Sequence, residues 1–243
     1  MAKKPDNSPV VSQRSKIKFE LNIRNFNFNE KQREMIDIIK NNKIIFVSGP
    51  AGTAKTFTAA YCALQALNNK RVSDILYIRP IVESSDTHMG YLPGTADEKV
   101  APYGQIINDK NAEFLPALDV KKLKDDDRIH ANSVSFARGQ HWAAKFIIID
   151  EAQSFTQPEL ITLMTRMGEA SKMVICADRK QSDLKNGKNG GFIKLMSVFS
   201  DDESKGQGIQ AIELKACDIV RSGLCKYIVE KLEKNETIMF GEH

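Results

Sequence analysis

Four cysteines, one tryptophan and no long apolar run are what this 243-residue chain has little of. Cys62, Cys176, Cys217 and Cys225 show no CxxC spacing and sit among apolar or small residues, so they read as reduced packing residues rather than as a disulfide framework or a zinc site. No stretch approaches the ~20 apolar residues that span a bilayer, and the lysines of Met1-Ala2-Lys3-Lys4 have no apolar segment behind them. The sequence therefore predicts neither membrane partner nor secretory leader, and a cytoplasmic location, in the host cytoplasm if the source is viral. Excess charge is lacking too. Lys and Arg number 35 against 31 Asp and Glu, and the net +4 permits a nucleic-acid partner without demanding one. Repeats and long low-complexity stretches are also missing.

What remains is the composition of an ordinary globular protein, with length for one large domain and its core. Residues 1–16 combine Pro, Ser, Asn and Lys with almost nothing apolar, which predicts a disordered arm ahead of a single domain over 17–243. Asn29-Glu30-Lys31-Gln32 opens a segment whose Met35, Ile36, Ile38 and Ile39 give an apolar helical face. Apolar, β-branched-rich runs recur at Ile44–Val47, Ile75–Ile78, Phe146–Ile149 and Met173–Cys176. A further strand is expected near Ile209–Leu214 and a short one near Ser133–Phe136. Strands apolar on both faces belong in a parallel sheet covered by helices, so the fold class is α/β. A last helix is expected from about Asp218 to Lys234, with Ile219, Val220, Leu224, Ile228, Val229 and Leu232 along one side. Residues 82–127 break the alternation with Gly90, Pro93, Gly94, Pro102 and Pro116, and read as an insertion on the sheet's edge.

The first strand runs directly into Gly49-Pro50-Ala51-Gly52-Thr53-Ala54-Lys55-Thr56, a glycine turn ending in Lys-Thr at the start of a helix. This is a phosphate-binding loop. Its amides and the positive end of the helix can cradle phosphate oxygens, Lys55 can reach the β and γ phosphates, and the Thr56 hydroxyl can ligate Mg²⁺. ATP and Mg²⁺ are thus the expected cofactors. Ala54 stands where glycine is usual, and its methyl would crowd the loop or oppose a positive φ.

Phe146-Ile147-Ile148-Ile149-Asp150-Glu151 puts two carboxylates at the carboxyl end of a buried strand, where open α/β sheets place their ligands. In this Walker B arrangement Asp150 would hold Mg²⁺, and Glu151 would orient and deprotonate the attacking water. An acidic helix N-terminus with no ligand is the competing reading of the pair. Met173–Cys176 likewise ends in polar residues, among them Gln181, whose amide could sense the γ phosphate.

With these motifs the chain resembles the PhoH family of P-loop ATPases, relatives of the superfamily-one helicase core. The resemblance covers most of residues 29–234. Its most specific part is Arg79-Pro80-Ile81-Val82-Glu83, then Gly90-Tyr91-Leu92-Pro93-Gly94, Glu98-Lys99-Val100 and Pro102-Tyr103, which look like the family's RPxVE, GFLPG and EKVxPY elements. Arg138-Gly139, Thr165-Arg166-Met167-Gly168 and Ser171-Lys172-Met173-Val174 follow in family order. Two elements depart from it. Ala177-Asp178-Arg179-Lys180-Gln181 lacks the glycine and threonine of a Gly-Asp-x-Thr-Gln motif, and Asp218-Ile219-Val220-Arg221-Ser222 carries serine where the family has histidine.

The resemblance implies a RecA-like, three-layer αβα fold with a central mostly parallel sheet. It implies Mg-dependent ATP hydrolysis coupled to single-stranded RNA, or DNA. Arg221 becomes a candidate for the γ phosphate, in cis or across a subunit boundary, and Gln32 for reading adenine. Arg79, Arg138, His141 and Trp142 become candidate nucleic-acid contacts, Trp142 by stacking on a base if it is not simply a core anchor. A single core has no second motor lobe, so a homo-hexameric ring is expected. The alternative is a nucleotide-dependent scaffold or switch with little turnover, which Ala54 and the altered 177–181 segment favour. A kinase reading is weak for want of a lid-like arginine cluster, and a nuclease domain is not expected in the short segment before residue 29.

Overall fold

The computed structural model describes residues 16–80, 107, 109–132, 134–137, 139–178 and 191–235. The expected arm, most of the family-signature block, Arg138 and Gln181 lie outside the described residues.

Strands and helices alternate as the apolar runs require. After helix α1 (Glu30–Asn41) come β1 (Ile44–Ser48), α2 (Lys55–Asn68) and β2 (Asp74–Ile78). Helix α3 (Ala117–Asp125), β3 (Ile129–Asn132), the single turn α4 (Val134–Ala137) and β4 (Lys145–Ile149) follow. The chain continues through α5 (Gln157–Met164), β5 (Lys172–Ala177), α6 (Gly191–Val198), α7 (Asp202–Gly206), β6 (Ile209–Glu213) and α8 (Gly223–Lys234). The six strands form one sheet in the order β3-β2-β4-β5-β1-β6. All of its described ladders are parallel, as strands separated by crossovers must be.

Two apolar layers sandwich this sheet because successive side chains on each strand point oppositely. On one face Ile45, Val47, Ile75, Tyr77, Phe146, Ile148, Val174 and Cys176 pack with α1 and α2; on the other Phe46, Leu76, Ile147, Ile149, Met173 and Ile175 pack with Trp142, Leu160, Leu163, Phe192 and Leu195. Each such side chain removed from water contributes about 1.5–3 kcal/mol. The three-layer α/β fold is thus the one expected.

Four expectations need correction. The short strand is β3, at 129–132, and the more apolar 134–137 forms a helical turn instead. Within the presumed insertion, Phe114, Leu115 and Leu123 are buried in the core, so its second half is the crossover that carries β2 to β3. The last helix begins at Gly223 after a 3-10 turn at Ala216–Asp218, and its apolar side is not packed: Leu224 is 69%, Tyr227 59%, Ile228 48% and Leu232 46% exposed. Finally, Cys62 and Cys176 are buried, whereas Cys217 is exposed and Cys225 only partly covered. Burial pushes the Cys62 thiol up to about 12, which keeps it protonated.

A buried carboxylate, Asp74, and a half-buried ammonium, Lys172, brace the amino-terminal edge of the sheet. Asp74 accepts from Ser73 Oγ at 2.6 Å and from Lys145 Nζ at 3.1 Å, with Arg128 Nη1 3.8 Å away. Burial alone would raise its pKa, but the hydrogen bonds from His130 and Ser73 and the Lys145 charge outweigh it and hold the carboxyl below the usual range. The ammonium of Lys172 donates to the carbonyls of Ile39, Lys40 and Asn42, closing the carboxyl end of α1. Burial draws its pKa down to about 8.

Candidate nucleotide site

At the opposite edge, where the strands end, a cavity of about 600 Å³ opens over the loop between β1 and α2. Gln32, Ala51, Gly52, Ala54, Lys55, Thr56, Arg79, Asp150, Glu151 and Arg221 all line it. Residues singled out separately in five parts of the chain therefore meet in one place.

The loop is shaped by close approach. A Cβ on Gly49 would stand 2.7 Å from that of Leu214, and Gly52 has φ +86° with Arg221 Cδ 3.2 Å from where its Cβ would be. The expected conflict at Ala54 is present: its φ is 60° and ψ 28°, left-handed despite the methyl. No side chain caps α2, so its first-turn amides face the cavity as anion donors. Pro50 accepts from Thr53 Oγ1 at 2.9 Å. Lys55 Nζ donates to the carbonyls of Gly49 at 2.7 Å and Pro50 at 2.9 Å, which holds the ammonium over the loop.

Thr56 Oγ1 donates to Asp150 Oδ1 at 2.6 Å, and Tyr77 Oη donates to Asp150 Oδ2 at 2.5 Å. A hydroxyl and a carboxylate so close are a hard oxygen pair that fits Mg²⁺, completed by phosphate oxygens and water. Among the described residues no cluster of three or more His, Cys, Asp or Glu side chains competes as a metal site. Tyr77 was not singled out in the sequence, where it looks like one more apolar strand position. Burial, then the Asp150 charge and hydrogen bond, push its phenol far up, so it stays a donor that aims Asp150.

Glu151 is also left-handed, at φ 53°, which turns the chain at the strand end and sends the adjacent carboxylates different ways. Its Oε1 pairs with Arg79 Nη2 at 3.1 Å and its Oε2 accepts from Gln153 Nε2 at 2.7 Å. Buried Gln153 accepts in turn from the Asp178 amide at 3.0 Å. Across the cavity the Val220 amide donates to the Gly52 carbonyl at 3.1 Å, seating Arg221 on its own chain's phosphate loop. Gln32 lines the cavity too, but its Oε1 accepts from the Asn29 amide at 3.0 Å in a capping box that starts α1. One lone pair and the amide protons are left for a base.

The three described nucleic-acid candidates, Arg79, His141 and Trp142, do not come together. Arg79 follows β2 at the nucleotide edge, whereas His141 and Trp142 precede β4 at the other end of the strands. Stacking by Trp142 is ruled out by its burial: it is 1% exposed, packs in the core and donates its indole N–H to Gln140 Oε1 at 2.8 Å. His141 is exposed.

A buried strand, a glycine loop wrapped over a helix start and an acidic strand end facing it define a P-loop NTPase. More narrowly, the chain belongs to the PhoH-like protein family, whose model matches residues 26–233. It is 34% identical to a PhoH-like protein of Synechocystis over 206 residues, 85% of this chain and 61% of that protein. A Bacillus subtilis PhoH-like protein is 35% identical over 84% of this chain and 62% of its own length. Protein PhoH of Escherichia coli is 30% identical over 82% of this chain and 55% of its own. The chain thus spans less than two thirds of the length of these curated relatives. Among solved structures, the Pif1 helicase from Candida albicans aligns at 16% identity with a TM-score of 0.45, over 86% of this chain and 44% of that one. A Sulfolobus solfataricus SWI2/SNF2 ATPase core in complex with dsDNA aligns at 14% identity with a TM-score of 0.44, over 80% and 46%. No helix among the described residues is long and apolar enough to cross a membrane.

Proposed function

We propose that this protein is a cytoplasmic, Mg-dependent ATPase that couples hydrolysis to binding or remodelling of single-stranded nucleic acid, with RNA as the first substrate to test. The convergence of Lys55, Thr56, Asp150, Glu151 and Arg221 on one cavity carries the reading. Mg²⁺, when bound, neutralises charge on the β and γ phosphates. Thr56 and Asp150 would hold it, with Tyr77 fixing the carboxylate. The loop amides and Lys55 bind and orient the phosphates. Glu151 positions the attacking water and takes its proton. Arg221 stabilises charge on the transferring group, and Gln32 selects adenine. Gln181 remains a candidate γ-phosphate sensor on sequence grounds alone.

A homo-hexameric ring belongs to the same proposal. The bare apolar stripe of α8, beginning three residues after Arg221, supports it, because a neighbouring copy would cover Leu224, Tyr227, Ile228 and Leu232. The second reading, a nucleotide switch with slow turnover, is favoured by one observation: the intended base is tied to Arg79. Phosphate release from Mg-ATP, with and without single-stranded RNA, separates the two. RNA-stimulated turnover that Lys55→Ala and Glu151→Gln both abolish supports the motor; ATP binding without turnover supports the switch. Solution mass with ATP tests the ring, which a monomer under all conditions would eliminate.

A further inference from the structure

Glu151 enters the site with both carboxylate oxygens engaged. Gln153 holds one, and Gln153 is buried and anchored to the backbone at the end of β5. Arg79 holds the other, and this half of the clamp faces solvent, its side chain 29% exposed against 37% for Glu151. Only the Arg79 half can therefore be opened from outside.

The ligand able to open it is defined by the guanidinium. Arg79 has a planar fork of donors that matches phosphate as well as it matches carboxylate. The phosphates of a bound nucleotide would share this cavity with Arg79, but the loop amides, Lys55 and Arg221 already stand as their partners on the β1 side, three strand positions from β2. A phosphodiester arriving from solvent meets the exposed side of the Arg79 fork instead. We propose that Arg79 is a positioning residue that reads a phosphodiester of a bound single strand, and that in turning to it Arg79 releases Glu151 to orient water. Nucleic-acid binding and base release then become one exchange of partners, and the idle ion pair suppresses turnover until the strand arrives. This rests on the proposed function, and it identifies how that site would be coupled.

Competition makes the test independent of hydrolysis. In the nucleotide-free protein, Glu151→Gln removes Arg79's charged partner and should tighten binding of a fluorescent single-stranded RNA by roughly two- to fivefold, the range for a partly exposed ion pair. Arg79→Met should weaken it, Arg79→Lys should recover part of the loss, and Glu151→Gln should bring no gain in the Arg79→Met background. In turnover, Arg79→Met should raise basal kcat with little change in KM for ATP and lose the stimulation by RNA. RNA binding that neither substitution alters would overturn the exchange while leaving the proposed function standing. An Arg79-independent gain from Glu151→Gln would overturn it as well. If no form binds a single strand, this proposal and the nucleic-acid reading both fall.

Discussion

Replacing Ala54 by glycine should stabilise the protein, against the usual rule for glycine at a helix start. Ala54 holds φ 60° and ψ 28°, and a left-handed conformation costs an L-residue about 1–2 kcal/mol that glycine escapes. Glycine gives back about 0.5–1 kcal/mol through the greater freedom of its unfolded chain. The half-buried methyl adds little packing to lose. The net expectation is a gain of about 0.5–1 kcal/mol, or a rise in Tm of about 1–4 °C for a chain of this size. Ala66 in the regular part of α2 supplies the control, since Ala66→Gly should lose about 1 kcal/mol. Urea unfolding of both variants gives the comparison directly. Because the loop keeps its shape, nucleotide affinity of Ala54→Gly should stay within about threefold of wild type. Equal losses in both variants would show that residue 54 is not left-handed and would refute the reasoning.

Other perturbations address the core and the site. Asp74→Asn leaves Lys145 and Arg128 without their buried counter-charge and should cost about 3–5 kcal/mol by chemical unfolding. Asp74 has a depressed folded pKa, so its stabilisation is present above the unfolded carboxyl value near ~4 and is lost as the pH falls below it. Acid unfolding of the wild type should shift accordingly, and the Asn variant should lose that component. Trp142→Ala should destabilise by about 3–5 kcal/mol while the folded fraction binds a single strand as before. Arg221→Ala should lower phosphate release by about 10³-fold and weaken ATP more than ADP, read by turnover and competition binding.

The sequence revealed most where structure is local. A strand feeding a glycine turn and a helix is a contiguous pattern, so the loop around Lys55 could be read directly, and the same holds for Asp150-Glu151 at a strand end. Edge strand β3 was displaced because Ile129–Asn132 has no β-branched run and is half exposed, while Ser133–Phe136 beside it, with Val134 and Phe136, looked the better strand. Trp142 stayed open between core anchor and stacking surface because a lone aromatic near basic residues reads alike in both; the packing of α5 and α6 onto the sheet decides for the core. Tyr77 and the Arg79–Glu151 pair could not be read from spacing. Both depend on β2 lying beside β4, a long-range register that no local periodicity encodes. The exposed face of α8 was invisible for the same reason, since an apolar helical stripe looks identical whether its own fold or another molecule covers it.

The proposed ATPase depends on Lys55, Thr56 and Asp150 forming one Mg-nucleotide site. Titration of a fluorescent ATP analogue into the wild type, Lys55→Ala and Thr56→Ala, with and without Mg²⁺, is the decisive measurement. Binding that Mg²⁺ strengthens in the wild type, that Lys55→Ala loses by at least ~10-fold, and that Thr56→Ala makes insensitive to the metal is the predicted result. Equal affinity in all three proteins, unaffected by Mg²⁺, would contradict it.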